Sequence, residues 1–152
     1  MKKKLIITIS VILALIILIP LALFGIPIIY NNIILLNVAD DLRDAIKSTD
    51  GVELVELDKL CGNLVGNGNK MQFLAAAIVK CESEAVIKEC LAETGKYSKD
   101  YARLRGKEIT LRDLEHGKLD LDFTAYDYDD NMYVIYISCQ PSYAAEYDVR
   151  AH

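Results

Sequence analysis

The chain reads as an α+β protein: an N-terminal transmembrane helix followed by a small two-layer domain with an antiparallel sheet, in the order helix, hairpin, helix, hairpin. Three observations predict this. Leu5 to Ile29 is an uncharged run of 25 positions, preceded directly by Lys2, Lys3 and Lys4. Beyond it, apolar stretches of strand composition come in two pairs, each pair separated by a turn signal. Before and between those pairs, apolar residues recur at three- and four-residue steps, the period of a helix. Elements in this order build an antiparallel sheet with helices on one face.

The apolar run comes first. At about 1.5 Å rise per residue it covers roughly 37 Å, against a hydrocarbon core of about 30 Å, so it crosses with some tilt. Its hydroxyl residues are Thr8 and Ser10, which can bond back to the preceding turn. Pro20 and Pro27 are helix breakers, but kinked helices are tolerated in bilayers. Lysines precede the run, and the first charges after it are Asp40 and Asp41. The positive-inside rule then puts the N-terminus in the cytoplasm and the rest outside the cell membrane. The expected organisation is a basic start over 1–4, a signal-anchor over 5–29 and an extracytoplasmic domain over 30–152. A cleaved secretory signal is the alternative. Its apolar part normally spans about 7–15 residues and ends in a small-x-small site, which Leu21 to Gly25 does not supply.

The helix continues past Pro27, which suits a first helical position. Ile34, Val38, Leu42, Ala45 and Ile46 share one face, and Asp40, Asp41, Arg43, Asp44 and Lys47 take the other. Asn31 and Asn32 mark the outer membrane interface. Gly51 ends the segment. Val52 to Leu60 and Lys70 to Lys80 are then two strands. The loop between them holds Gly66, Asn67, Gly68 and Asn69, and Asn-Gly is a strong hairpin signal because both residues accept positive φ. Ala75, Ala76 and Ala77 in the second strand point to close approach of another element. Ser83 caps a helix over 84–94, which Gly95 stops. Residues 97–105 read as a short second helix, with Tyr97, Tyr101 and Leu104 on one side. Thr110 and Asp113 resemble a capping box, with a strand over 108–114 as the alternative. In the last pair, Leu119 to Ala125 alternates apolar and polar, Asp127 to Asn131 forms the turn, and Met132 to Cys139 is a central strand. The tail from Pro141 to His152 is expected to pack loosely.

Charge and cysteines narrow the function. Leaving Lys2 to Lys4 aside, 14 basic residues face 22 acidic ones, a net of about −8. An acidic domain repels nucleic acid and anionic headgroups, so nucleic acid is not an expected partner. Four cysteines, Cys61, Cys81, Cys90 and Cys139, all lie beyond the span. An even count in an oxidising compartment suits two disulfides, and the favoured pairings are Cys81–Cys90 and Cys61–Cys139. Four free, buried thiols are the alternative.

Each candidate site has a structural counterpart. The loop Gly66 to Asn69 offers backbone amides to an anion, but lacks a phosphate-loop pattern, and a hairpin turn explains it. Asp127, Asp129 and Asn131 alternate like the opening of a calcium loop. Met132 stands where the loop needs Gly and Ser138 where it needs Glu, so a solvated turn explains them. Eight of the nine tyrosines lie between residues 97 and 147. Tyr126, Tyr128, Tyr133 and Tyr136 gather on the last hairpin and are candidates for a protein–protein interface. His116 and His152 have no converging partner, and no catalytic, cofactor or metal motif is readable. The expectation is a single-pass, membrane-anchored binding or accessory module, non-enzymatic and without cofactor, acting on another membrane or envelope protein. A secreted form, a pilin-like subunit and a small envelope hydrolase are the alternatives.

Overall fold

The computed structural model describes residues 2–64, 70–104, 119–123, 125, 131–141 and 147–151. The chain is α+β: among the described residues it forms a long N-terminal helix, a four-stranded antiparallel sheet and one further α-helix. The long helix is α1 (Lys2–Pro20), a π-helical turn over Leu21–Gly25, and α2 (Ile26–Ser48). Lys3–Ser48 is one helix of 46 residues, with a window of mean hydropathy 3.1 that is not buried at all within the protein. It is long and apolar enough to cross a membrane. The π-turn follows Pro20, whose missing N–H breaks the regular ladder and lets one extra residue into the turn.

Strands β1 (Val52–Gly62), β2 (Gln72–Cys81), β3 (Ser98–Arg103) and β4 (Met132–Cys139) lie in the order β1-β2-β4-β3, with α3 (Glu84–Glu93) between β2 and β3 in sequence. All pairings are antiparallel. β2 and β4 are central and nearly all apolar, as strands covered on both faces must be. β1 carries a bulge between Leu54 and Glu56. This explains its imperfect alternation: the extra residue puts Leu54 and Leu57 on the same face. The other edge, β3, is blunted by Lys99, Asp100 and Arg103, which discourage pairing with a further strand.

One sheet face carries Phe73, Ala75, Ala77, Val79, Tyr133, Ile135 and Ile137, packed under α2 and α3. Val38, Leu42 and Ile46 of α2 and Ile87 of α3 are at most 1% exposed there. Ala75 and Ala77 allow the close approach expected of them, because a flat patch lets the helix axis settle near the strand; Ala76 faces the other way. The second face carries Leu74, Ala76, Ile78 and Val134 and is covered by Leu104, Leu119, Leu121 and Phe123.

Two local expectations change. Residues 98–103 are a strand, although Tyr97, Tyr101 and Leu104 have helical spacing. The exposed edge of β4 offers backbone partners to an extended chain and none to a helix. Residues 119–123 do not pair with β4. Their alternation places Leu119, Leu121 and Phe123 on the second sheet face, while the Asp120 and Asp122 N–H groups donate to Asp58 Oδ2 and Glu56 Oε2 at 2.7 and 3.1 Å. The capping box at Thr110 and the strand over 108–114 lie outside the described residues.

The alanine contact gives a direct test. Ala77→Leu inserts three carbons between α2 and β2, and a loss of about 2 kcal/mol is expected from overpacking. Denaturant unfolding of the full chain in micelles reads it; an unchanged midpoint contradicts the close packing.

Candidate functional site

One cluster of polar groups lies where α2 leaves the apolar run. Asn31 and Asp148 are both fully buried. Asn31 Nδ2 donates to Asp148 Oδ2 at 3.1 Å. Arg150 grips the same carboxylate through Nε at 2.9 Å and through Nη2. Its Nη1 donates to Asn32 Oδ1 at 2.8 Å and its Nη2 to the Ile28 carbonyl at 3.5 Å. The Asn63 N–H donates to the Arg150 carbonyl at 2.9 Å, and a Cβ on Gly62 would come within 3.0 Å of that oxygen. A short 3-10 turn, Val149–Ala151, is thus clamped between the first turns of α2 and the end of β1. The tail is therefore fixed at these residues rather than loosely packed. The Arg150 hydrogen bonds hold the Asp148 carboxyl below its ordinary 3.8 against the opposing pull of burial; the Asn31 amide adds to the effect.

A second cluster sits farther up α2. The Tyr97 hydroxyl donates to Asp41 Oδ2, and Lys96 Nζ lies 3.1 Å from the same oxygen. Lys96 also stands 4.9 Å over the Tyr97 ring, a cation–π contact. Burial raises the Asp41 carboxyl, but the Tyr97 and Lys96 hydrogen bonds together with the lysine charge leave it below 3.8. Burial and the Asp41 carboxylate push the Tyr97 hydroxyl up to about 12, so it stays protonated at neutral pH. Between the two clusters, a cleft of about 640 Å³ runs along α2, walled by Tyr30, Ile33, Val38, Tyr97, Cys139 and Pro141 among others. It offers contact area and hydrogen-bond donors, with its nearest carboxylate already paired.

The structure holds all four thiols free, which corrects the two disulfides. Cys61 and Cys139 both face Phe73, one from each side of β2. They stand two strand spacings apart, about 10 Å, beyond the reach of about 7 Å for a disulfide. Cys81 Sγ donates to the Ser83 carbonyl at 3.3 Å, and Cys90 shares a hydrogen bond with Thr49. The two thiols lie near enough for the Cys81 charge to act on Cys90, yet both are held as free thiols. Burial raises the thiols of Cys61, Cys90 and Cys139 above 9.0.

Of the tyrosines, Tyr133 is a core residue, 1% exposed, whose hydroxyl accepts from Arg103. Tyr136 lies on the opposite face of β4, against the second core. These two do not form one surface, because neighbouring odd and even positions of a strand point to opposite faces. The Asn131 carbonyl accepts from the Cys81 N–H at 2.8 Å. Tyr126, Tyr128, Asp127, Asp129, Gly66 to Asn69, His116 and His152 lie outside the described residues. Among the described residues, no group of three His, Cys, Asp or Glu side chains is placed to hold a metal ion. Sequence reasoning missed Asp148, Arg150, Lys96 and the burial of Asn31. The available signal was a pair of asparagines just past an apolar run. No family model, curated protein or solved structure matches this chain.

Three outcomes test this geometry. Asp148→Asn leaves the Arg150 guanidinium against a neutral amide, with an expected loss of about 3 kcal/mol. Asp148 and Asp41 both have depressed folded values, so their stabilisation is complete above about pH 4 and disappears as pH falls through those values. The wild-type unfolding midpoint should fall in that acid window by more than that of Asp148→Asn. For the thiols, Cys139 is the least buried and should react first with an alkylating reagent, read by mass spectrometry. Equal rates at all four contradict the burial pattern.

Proposed function

We propose that the protein is a single-pass membrane-anchored module that holds an α+β domain against the outer face of the cell membrane and acts by binding another membrane or envelope protein. The observation that carries this reading is the continuity of Lys3–Ser48. Its N-terminal half is an exposed apolar helix, and its C-terminal half is a core element of the domain. With no linker between them, the domain sits at the bilayer with little freedom to swing. Binding at short range from the membrane suits that geometry. The lysines before the run and the acidic excess after it support the proposed orientation.

Binding is favoured over catalysis because the polar groups of both clusters are engaged with one another. Asp148 is held by Arg150 and Asn31, and Asp41 by Tyr97 and Lys96. A general base needs a free lone pair and a tuned pKa. Both carboxyls are instead depressed and occupied.

Protease added to intact cells tests the placement. The domain should be degraded from outside, and the isolated chain should keep residues 5–25 by mass. A protected domain overturns the orientation, and loss of those residues makes the protein a secreted one. Photo-crosslinking from Tyr136 and from the cleft in whole cells should trap a membrane or envelope protein; the absence of any adduct contradicts the binding role.

A further inference from the structure

Helix α2 has a second apolar face. Its buried face, Asn31, Ile34, Leu35, Val38 and Leu42, lies on the sheet. On the opposite side Ile26, Ile29, Ile33 and Leu36 are 62, 62, 52 and 46% exposed. These residues succeed one another at three- and four-residue steps, so they form one stripe along the helix. The stripe continues the exposed face of the apolar run without a break. It then stops abruptly: the next exposed positions are Asn37, Asp40, Asp44 and Lys47. Water-facing helices of small domains do not ordinarily keep such a stripe uncovered.

The polar clamp fixes the depth of the same turns. Asp148 and Arg150 contact α2 at Ile28, Asn31 and Asn32. A guanidinium–carboxylate pair is not accommodated in lipid-facing hydrocarbon, so those turns lie at the headgroups or above. One side of α2 therefore belongs to the membrane boundary at Asn31, while the other stays apolar to Leu36. An upright helix does not satisfy both. Leu36 stands about 7.5 Å farther along the axis than Asn31, nearly opposite it on a helix about 10 Å across. A lean of about 30° brings the two to nearly the same level, and spans lean by up to about 40°.

We infer that α2 leans onto the bilayer and that lipid of the outer leaflet covers Ile29, Ile33 and Leu36, with the domain riding on the helix's upper side. The inference rests on the proposed reading of the apolar run as a span with the domain on the outer side. Continuity with that lipid-facing surface selects lipid as the occupant. α2 is then both the roof of the core and the sole by which the domain rests on the membrane. Pro20 and the π-turn over Leu21–Gly25 stand where a change of axis direction between span and sole is accommodated.

The test uses the full chain in phosphatidylcholine vesicles containing a phosphatidylcholine with a diazirine near the ester end of one acyl chain. After photolysis, labelled residues are read by mass spectrometry. Labelling is expected in residues 5–25 and at Ile29, Ile33 and Leu36, and absent at Asp40 and Arg43. In the double variant Ile33→Glu, Leu36→Glu, labelling at Ile29 should be lost while that of residues 5–25 is retained. Labelling that stops at Gly25 overturns the lean and leaves the anchor intact. No labelling in residues 5–25 overturns the anchor itself. A covalent adduct between two copies at Ile33 or Leu36 makes a second chain the occupant and overturns lipid.

Discussion

Helix α2 must satisfy two environments along one axis, and the rest of the molecule follows from that. Val38, Leu42 and Ile46 are buried on the sheet almost completely, so the helix cannot rotate or detach without opening the core. Burying side chains of this size contributes roughly 1.5–3 kcal/mol each. At its other end the same helix runs into an apolar segment with no cover from the protein. The direction of that apolar segment and the position of the domain are therefore one variable. Ala75 and Ala77 of β2 serve this arrangement by letting α2 come close, and the clamp of Asp148 and Arg150 on Asn31 secures the first turns as they leave the apolar segment.

The polar clusters are best understood as fasteners of that helix. Asn31 sits on the buried face, where an unpaired amide would cost about 1–3 kcal/mol, and Asp148 takes its hydrogen bond. Asp148 in turn is tolerable without water only because Arg150 pairs with it. Farther along, Asp41 ties α2 to the turn before β3 through Tyr97 and Lys96. Each fastener links α2 to a segment distant in sequence, so the helix is held from both flanks as well as from the sheet.

Much of this was legible in the residues. The apolar run, the amphipathic continuation, β1, β2, α3 and β4 follow from period and from the Ser83 and Gly51 punctuation. Residues 98–103 were not legible as a strand, because Tyr97, Tyr101 and Leu104 satisfy a helical period equally well and only the open edge of β4 decides between them. Leu119 to Phe123 alternates like a strand, yet its backbone donors find the carboxylates of Asp58 and Glu56 instead of a neighbouring strand. Cys61 and Cys139 suggested a bridge between strands. The sheet order puts β2 between them, and sheet order is not written in a single chain's periodicity. The clamp joins positions 117 apart, and no local pattern reports such a contact.

Hydrogen exchange on the full chain in lipid vesicles, followed amide by amide from Phe24 to Asn37, tests the central claim most directly. A single stiff helix joining membrane and domain predicts slow exchange at every amide of that stretch, with no step between the span and the part packed on the sheet. Fast exchange confined to residues 25–31 would mean a hinge there, and would contradict the account.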